Sequence, residues 1–455
     1  MLARISTVAV SRLSAFFSGS PKTAAVLALG LWLAVVLTIH IVLARLGLQT
    51  GVWFLQGFLF GPVFESGDSW NVMRLARDWL QAHPDADGEL YREIFFEQKT
   101  KFQYAPTSLL PFDALALIGL EPTNSLLNGV NRAALLITAL AMGVLAWLLP
   151  ERLAPGPLDA DARRARLLLA LAAPAATLLF FPLLYAYIIG QLQVWISALF
   201  VVACIGWVID RRALAGVLIG LVCLLKPQFG LFALWGLLRR EWNFTIALCV
   251  TGAVGLALSV MIYGFGNHLA YLEVLSYLSS HGEAFWANQS ANGLLQRIFE
   301  NGENRVFDPH GFPPFHPGVY VGTLLVTLTM LSGVFLTRRG DGKLAPAYDF
   351  LLAALAFTAA SPIAWEHHYG VLMPIFAFLA AGWVYSEARP AYTWQLALIG
   401  AAFVLSAAPL GVLGMVSGVL QIAQSCLYFA ALVVLAAVWR LTQDSWNLRL
   451  PWTVN

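Results

Sequence analysis

Residues 214–238 read LAGVLIGLVCLLKPQFGLFALWGLL, an apolar run that is interrupted only around Lys226 and Pro227. Proline lacks the backbone N–H that continues a helix, and a bilayer tolerates a broken helix only where the freed groups line protein or water. The run therefore predicts two half-length membrane helices that meet at Lys226. A charge near mid-membrane costs roughly 2.5–3.5 kcal/mol on insertion scales. This cost favours a functional lysine in a cavity over a lysine that snorkels to an interface.

The whole chain has the composition of an integral membrane protein. Of its 455 residues, 59% are hydrophobic and 11% are charged, and the mean hydropathy is +0.72. Soluble domains carry about 25% charged residues. A net charge of +2 is too small and too dispersed for a nucleic-acid-binding protein. The four cysteines lie in apolar runs without CxxC spacing, so they indicate neither a disulfide framework nor a thiolate metal site.

Further apolar segments predict membrane spans, since a span needs about 20 apolar residues. They are residues 24–46, 126–149, 167–185, 192–209, 244–263, 319–336, 347–360, 371–385, 392–410 and 413–439. The basic clusters at residues 163–166, 211–212, 239–240 and 338–343 all fall on one side if the N-terminus is cytoplasmic. We therefore expect an all-α polytopic membrane protein with about 12 transmembrane helices and both termini in the cytoplasm.

Two polar inserts, residues 49–125 and 264–318, then share the extracytoplasmic side. Residues 63–80 have the apolar spacing of an amphipathic interfacial helix. Residues 109–120 are too short to span the bilayer and contain Pro111 and Asp113, so they are predicted to form a second interfacial helix. The expected organisation is an N-terminal transmembrane module (residues 1–263, including the first insert), the second insert (264–318) and a C-terminal transmembrane module (319–455).

Asp68 leads the polar part of the first insert. Most aspartates that precede a helix are N-caps. A carboxylate at the membrane boundary can also take a proton from a bound hydroxyl, which makes Asp68 a candidate general base. The second insert is either an ordinary polar loop or a sugar and phosphate site, because it combines Trp286 with the amides of Asn288 and Gln289 and with Arg297, which can bind phosphate through two hydrogen bonds.

The segment SPIAWEHHY, residues 361–369, lies at the end of a span. His367 and His368 point in different directions on a helix, so the pair by itself makes a poor metal site. We expect the outer loops to contain no Asp-x-Asp pair and therefore predict no required divalent metal. Ionisable residues within a membrane protein's spans usually face the bundle interior. The histidines are therefore either hydrogen-bonded interfacial residues or groups that bind a phosphate or orient a hydroxyl.

These features resemble the polytopic GT-C glycosyltransferases, and most closely glycosyltransferase family 87. The resemblance rests on motifs in a fixed order: the Asp68-led insert ending in FQYAP (residues 102–106), Gly190-Gln191 before a span, Lys226-Pro227 after a glycine-rich span, Asn288-Gln289-Ser290, and the 361–368 segment with its paired histidines. Two departures from the family pattern are Ala105 within the tyrosine-proline turn and Pro227 directly after the lysine.

The resemblance implies a GT-C fold and inverting transfer of a single, mannose-like sugar from a polyprenyl-phosphate donor to a lipid-linked or glycolipid acceptor. The reaction would face the outside of a bacterial inner membrane, with Asp68 as general base and with Lys226, His367 or His368, and Arg297 near the donor phosphate. The substrate-contacting residues would be Tyr104, Gln191, Trp286, Asn288, Gln289, Trp365 and Glu366. No nucleotide-binding fingerprint occurs, which fits a lipid-linked donor and no cofactor.

Two other classes of protein stay open. An O-antigen ligase or polymerase would also use Arg and His of the outer loops, and a flippase or transporter would also have broken helices and intramembrane charges. The two halves show no recognisable repeat and the inserts share one side, which favours the transferase. A ligase would move an oligosaccharide from a diphosphate lipid, whereas a flippase would move its lipid unchanged.

Overall fold

The computed structural model describes residues 20–48, 51–63, 65–154, 156–385, 393–408 and 410–443. In this part of the chain the regular structure is helical, apart from one isolated antiparallel bridge between Asn288 and Trp365. The all-α prediction is therefore confirmed for the described residues.

The helices follow one another in the order that the apolar segments predict. The α-helices are α1 (Pro21–Arg45), α2 (Gly51–Phe60), α3 (Asp68–Ala82), α4 (Leu110–Leu117), α5 (Asn124–Leu153), α6 (Ala160–Leu179), α7 (Phe181–Ile188), α8 (Gln193–Val208), α9 (Arg212–Leu225), α10 (Leu231–Leu238), α11 (Trp242–Tyr263), α12 (Phe265–His281), α13 (Ala291–Ile298), α14 (Pro317–Leu336), α15 (Ala345–Ala359), α16 (Leu372–Tyr385), α17 (Thr393–Ala407) and α18 (Cys426–Gln443). Short 3-10 helices lie at Pro106–Leu109, Pro227–Gly230, Glu366–Val371, Leu410–Met415 and Gly418–Ser425, and a π-helical turn lies at Arg92–Glu97.

Several helices are long and apolar enough to cross a membrane, so the chain is a multi-pass membrane protein. Among the described residues there are 6 such segments: α1, α5, α11, α14, Glu366–Tyr385 and Gly418–Gln443. A seventh qualifies if α6 and α7, which meet at a bend of 48°, form one span. Other apolar helices have only 10–17 residues, and at about 1.5 Å per residue each falls short of a core of about 30 Å. The count of twelve crossings therefore stays a prediction.

The helix break that the sequence predicts at Lys226 is confirmed. α9 ends at Leu225, Lys226 has extended backbone angles (φ −138°, ψ 95°), and a 3-10 turn starting at Pro227 leads into α10. The break leaves C-terminal carbonyls of α9 without intrahelical partners. One of them, the carbonyl of Leu224, accepts a hydrogen bond of 2.6 Å from the hydroxyl of Thr107. The first insert therefore packs against the broken helix.

The first insert differs from its predicted outline. Its amphipathic helix, α3, begins at Asp68 rather than at residue 63, and its buried face includes Trp70, Met73 and Arg77. The helix predicted at residues 109–120 is α4, which is shorter because a 3-10 turn precedes it. Three further helices, α2, α12 and α13, lie within the two predicted polar inserts. The positions of these helices relative to the bilayer stay predictions.

A buried ion pair joins the two inserts. The ammonium of Lys101 lies 2.8 Å from Oε2 of Glu283, and the two side chains are only 9% and 5% exposed. The same ammonium lies over the rings of Phe307 and Phe312, 4.7 Å and 4.2 Å from their centroids. Because Lys101 directly precedes the FQYAP segment, this contact fixes that segment relative to the second insert.

Candidate active site

The start of α3 is held by the loop between α7 and α8. The backbone N–H of Asp68 donates to the carbonyl of Ile189 at 2.9 Å, and that of Ser69 donates to the carbonyl of Gly190 at 3.1 Å. The first turn of a helix has no intrahelical partners for such N–H groups. Gly190 has a φ of +73°, and a Cβ atom there would collide with the carbonyl oxygen of Ser66. Only glycine lets the loop come this close.

Asp68 is the first residue of α3 and not its cap. The N-cap is Gly67 and no side chain caps the helix, so the interpretation of Asp68 as an N-cap is wrong. Oδ2 of Asp68 instead accepts a hydrogen bond from Nε2 of Gln191. Oε1 of Gln191 accepts from Oγ of Ser69 at 2.7 Å, and that Oγ lies 2.8 Å from the hydroxyl of Tyr104. Three residues singled out in the sequence, Asp68, Tyr104 and Gln191, therefore meet around Ser69.

The surroundings of Asp68 shift the pKa of its carboxyl group. The residue is exposed, yet desolvation by the surrounding protein raises the pKa of its carboxyl, and the hydrogen bond from Gln191 offsets part of this rise. A raised pKa makes the carboxylate a stronger base. Burial, followed by the charge of Asp68, raises the pKa of Tyr104, whose hydroxyl therefore stays protonated and can donate.

Lys226 approaches the same loop from α9. Its Nζ donates to Oε1 of Gln193 at 2.8 Å, and Gln193, the first residue of α8, is 1% exposed. Only Leu192 separates Gln193 from Gln191, the partner of Asp68. Sequence reasoning missed Gln193, although the QLQ pattern at the mouth of a span is a signal that could have found it.

The 3-10 turn Glu366–Val371 adds three buried polar atoms to this region. Oε2 of Glu366, Nε2 of His367 and Nδ1 of His368 have no hydrogen-bond partner among the described residues. The two imidazole rings are 4.8 Å apart and nearly perpendicular, and Lys226 acts electrostatically on both of them. Unpartnered buried polar groups are uncommon and need an explanation, for which contact with a substrate is one answer.

Tyr185 of α7 lies next to the Glu366–Val371 turn. Its ring centroid lies 6.3 Å from that of His367, and the charges of Glu366 and Asp68 both act on its hydroxyl. The side chain is half-buried. Sequence reasoning missed this residue because it lies in an apolar run, where an aromatic side chain most simply belongs to the core.

The Asn288-Gln289-Ser290 segment holds the Glu366 turn in place. The N–H of Gln289 donates to the carbonyl of Ala364 at 2.8 Å, and that of Glu366 donates to the carbonyl of Ala287 at 3.0 Å. Oδ1 of Asn288 accepts from the N–H of Ala364 at 3.0 Å. Asn288 and Gln289 are both 0% exposed, and their amides are used by protein groups. The predicted substrate contacts of these two residues are therefore corrected to a positioning role.

Arg297 supports this segment from behind. It is 1% exposed, and its Nη2 donates to the carbonyl of Asn288 at 2.8 Å and to Oγ of Ser425 at 2.9 Å. Burial lowers the pKa of Arg297 to about 9, which still leaves it mostly charged near neutral pH. The predicted contact of Arg297 with the donor phosphate stays a prediction.

Two predicted tryptophans lie in an aromatic cluster at the edge of the turn. Phe285 contacts both Trp286 and Trp365, with ring centroids 5.4 Å and 6.3 Å away, and Phe307 lies 5.9 Å from Trp365. Both tryptophans are half-buried. Part of each side chain is accessible, so their role in substrate binding stays a prediction.

The expectation that the outer loops contain no Asp-x-Asp pair is wrong, because Asp85 and Asp87 form one in the first insert. The side chain of Asp87 lies at the start of α12. The carboxylate of Asp87 accepts hydrogen bonds of 2.9 Å from the N–H groups of both Gly266 and Asn267. This is the contact of a carboxylate with the free amides of a helix N-terminus. Within the described ranges, no three His, Cys, Asp or Glu side chains are placed to hold a metal ion.

The site lies in a membrane protein whose class can now be given. The sequence model of glycosyltransferase family 87 matches residues 102–362, and the chain belongs to this family. It is therefore a glycosyltransferase. The matched region contains Tyr104, Gln191 and Lys226 and excludes both Asp68 and the paired histidines, so the roles of the latter residues depend on the geometry described above.

Mycobacterial enzymes are among its relatives. The chain is similar to the polyprenol-phosphate-mannose-dependent alpha-(1-2)-phosphatidylinositol mannoside mannosyltransferase of Mycobacterium tuberculosis, with 26% identity over 315 residues that cover 68% of this chain and 69% of the relative. The enzyme of the same name from Mycolicibacterium smegmatis is 26% identical over 316 residues, 67% of each chain. An alpha-(1->3)-arabinofuranosyltransferase of Mycobacterium tuberculosis is 27% identical over 245 residues, which cover 52% of this chain and 48% of the relative.

Proposed function

We propose that this enzyme transfers a single, mannose-like sugar from a polyprenyl-phosphate donor to a lipid-linked or glycolipid acceptor. The observation that carries the proposal is that Gln191 and Gln193, two positions apart in the chain, form hydrogen bonds with Asp68 and Lys226 respectively. A base and a phosphate-binding cation at one site are what transfer from a glycosyl phosphate requires. The names of two relatives, which state dependence on polyprenol-phosphate mannose, support this donor.

Asp68 acts as the general base. Its carboxylate takes the proton of the acceptor hydroxyl while that oxygen forms a bond to the anomeric carbon from the face opposite the leaving phosphate. The transition state resembles an oxocarbenium ion, and the configuration at the anomeric carbon inverts. A positioned base of this kind contributes on the order of 10²–10⁴-fold to the rate.

Lys226 and the paired histidines act on the leaving group. The bond between the anomeric carbon and the phosphate oxygen breaks, its electron pair stays with that oxygen, and the polyprenyl phosphate departs as an anion. An ammonium group stabilises this anion by charge, and an imidazole N–H of His367 or His368 can donate to a second phosphate oxygen. The phosphate is a good leaving group and needs no separate general acid.

The reaction is proposed to face the outside of a bacterial inner membrane. Asp68, Gln191 and Glu366 lie in segments between predicted spans, at the helix ends opposite the basic clusters. The positive-inside rule assigns the basic ends to the cytoplasm. The twelve crossings, the interfacial placement of α3 and α4, and the division into residues 1–263, 264–318 and 319–455 are parts of this proposal.

An apolar cavity gives the donor chain a place in this scheme. It has a volume of about 150 Å³ and lies between α1, α5, α6, α16 and α17. Its lining includes Met373 and Phe376, which belong to the helix that begins directly after the Glu366–Val371 turn. The isoprene units nearest the phosphate are apolar, so this position supports seating them here while the phosphate meets Lys226.

The test is a transfer assay with purified protein in liposomes. Radiolabelled polyprenyl-phosphate mannose and a phosphatidylinositol mannoside acceptor are supplied to the wild type and to the Asp68→Asn and Asp78→Asn variants. Asp78 is exposed on the same helix and serves as the matched control. The wild type and the control label the acceptor lipid, whereas Asp68→Asn slows labelling on the order of 10²–10⁴-fold.

Each contrary outcome has a definite meaning. Transfer at the wild-type rate by Asp68→Asn removes Asp68 from the mechanism. Absence of single-sugar transfer by the wild type, together with transfer of an oligosaccharide from a diphosphate lipid, assigns the protein to the ligases or polymerases. Movement of unmodified lipid across the liposome membrane assigns it to the flippases.

A further inference from the structure

We propose that Glu366 and Tyr185 together recognise a hydroxyl group of the transferred sugar and so set the enzyme's choice of donor. This inference rests on the proposed function and deepens it. It assigns a role to Tyr185, which sequence reasoning does not single out, and a specific partner to Glu366.

Glu366 is held rigidly while its carboxyl group is left without a partner. Its backbone N–H donates to the carbonyl of Ala287 at 3.0 Å, next to the single bridge between Asn288 and Trp365. The residue is 1% exposed, and its Oε2 is buried with no hydrogen-bond partner among the described residues. Leaving such a group unpaired is costly. A buried acceptor of this kind fits a ligand that brings a donor to it.

Tyr185 lies next to the turn that carries this carboxyl group. Its ring lies 6.3 Å from that of His367, the residue that follows Glu366, and stacks on Phe181 with 5.3 Å between centroids. Its hydroxyl feels the charges of both Glu366 and Asp68. The tyrosine is therefore near enough to interact electrostatically with both the carboxyl group that we assign as base and the carboxyl group that the mechanism does not use.

The chemistry of these two groups favours a sugar hydroxyl over a phosphate. The carboxyl group of Glu366 offers a phosphate anion no attraction, and Lys226 with the histidines already supplies the groups that we assign to the phosphate. A carboxylate accepts a hydrogen bond from a hydroxyl, and a phenol can donate to the same hydroxyl oxygen. Because Glu366 belongs to the same turn as His367 and His368, the hydroxyl that it meets is on the sugar attached to the donor phosphate.

A site built to bond a hydroxyl discriminates against an analogue that lacks it, because its buried polar groups are then left unpaired. Losing a hydrogen bond to a charged partner should lower kcat/KM for the deoxy donor by roughly 10- to 100-fold relative to the parent donor. We expect wild-type enzyme to use one deoxy-sugar donor less well than the parent donor by about this factor. The other deoxy donors should be affected less.

The experiment compares kcat/KM for polyprenyl-phosphate mannose and for each of its monodeoxy analogues in four proteins: wild type, Glu366→Gln, Tyr185→Phe and Tyr187→Phe. Tyr187, two residues after Tyr185 on α7, serves as the matched control. Its hydroxyl accepts a hydrogen bond from Nε of Arg132 at 2.9 Å. Glu366→Gln and Tyr185→Phe should lower the rate with the parent donor and abolish the penalty for one and the same deoxy donor. Tyr187→Phe should keep the wild-type pattern.

A second measurement separates recognition from folding. Polyprenyl phosphate without a sugar should inhibit Glu366→Gln and wild type at equal concentrations, because it lacks the hydroxyl that Glu366 binds. An unchanged pattern of deoxy penalties in Glu366→Gln overturns the inference, and so does weaker inhibition by the sugar-free lipid. Failure of the wild type to transfer from any polyprenyl-phosphate sugar instead overturns the proposed function.

Discussion

Gln191 and Gln193 lie on either side of Leu192 and hold opposite charges: Nε2 of Gln191 donates to the carboxylate of Asp68, and Oε1 of Gln193 accepts from the ammonium of Lys226 at 2.8 Å. Each amide uses the end that suits its partner's charge. The two charged groups come from elements far apart in the chain, so this tripeptide sets their spacing. Changes at the two glutamines should therefore separate the function of the base from that of the cation.

Gln191→Met should move the acid limb of the kcat/KM profile to higher pH. Burial raises the pKa of Asp68, and the hydrogen bond from Gln191 offsets part of that rise. Without the amide the charged form is less favoured, so the pKa rises further. Asp68 acts as a base only when deprotonated, so activity is lost at a higher pH as the solution is acidified. The measurement is kcat/KM for the acceptor as a function of pH, which reports the free enzyme.

Gln193→Met is the matched control for this profile. It removes the partner of Lys226 and leaves the contact between Gln191 and Asp68 in place. We expect a lower rate at every pH and an acid limb at the wild-type position. Equal displacement of the limb in both variants would show that the shift does not report Asp68.

Lys226→Met should lower kcat on the order of 10²–10³-fold, as the loss of a group that stabilises developing charge does. Inhibition by polyprenyl phosphate should weaken in parallel, since the same ammonium is proposed to bind the phosphate of the product. Both quantities come from initial rates in liposomes. Lys99→Met, a change at an exposed lysine of the first insert, should alter neither. A Lys226→Met enzyme with wild-type rates would remove the ammonium from the phosphate site.

The sequence predicts the break at Lys226 because proline acts on the chain locally, and it predicts the long spans because their apolar runs are continuous. α11, for example, begins within two residues of its predicted start and ends at Tyr263 as predicted. Short helices escape prediction from the sequence for an equally local reason. α2 has only ten residues, which is too few to register as a span.

The sequence alone does not predict which residues far apart in the chain come into contact. Asp68 and Gln191 are 123 positions apart, and residue types alone do not say that a carboxylate will meet that amide. Asn288 illustrates the converse: an amide in a polar loop looks the same in a sequence whether it faces a sugar or a backbone carbonyl. Burial decides between the two, and Asn288 is 0% exposed.

The ion pair between Lys101 and Glu283 should stabilise the assembly of the two inserts. Both side chains are at most 9% exposed, so either Lys101→Met or Glu283→Met leaves a buried charge unpaired, at a cost of about 3–5 kcal/mol. The double variant should recover most of this loss, because its side chains pack against the rings of Phe307 and Phe312. Thermal unfolding in detergent measures all three proteins. If the double variant lost as much stability as the two single variants together, a direct interaction between Lys101 and Glu283 would be contradicted.

The exposed ion pair of Arg92 and Glu89 provides the comparison for the buried pair of Lys101 and Glu283. Its nitrogen and oxygen are 2.9 Å apart, nearly as close as in the buried pair, but the side chains are 67% and 50% exposed. Solvent screens such a pair. Arg92→Met should therefore leave the unfolding temperature unchanged. A drop as large as that of Lys101→Met would show that burial is not the cause of the difference.

Gly190→Ala should inactivate the enzyme, because Gly190 sets how closely the loop approaches the start of α3. Its φ of +73° costs an alanine roughly 1–2 kcal/mol, and the added Cβ would displace Ser66, two residues before Asp68. Gly129→Ala is the control: no atom lies within 4 Å of a Cβ at that position in α5, and alanine in a helix interior gains about 0.5–1 kcal/mol over glycine. The control should keep full transfer activity and unfold at the same temperature or a higher one. If Gly190→Ala transferred sugar at the control's rate, the placement of Asp68 would not depend on this loop.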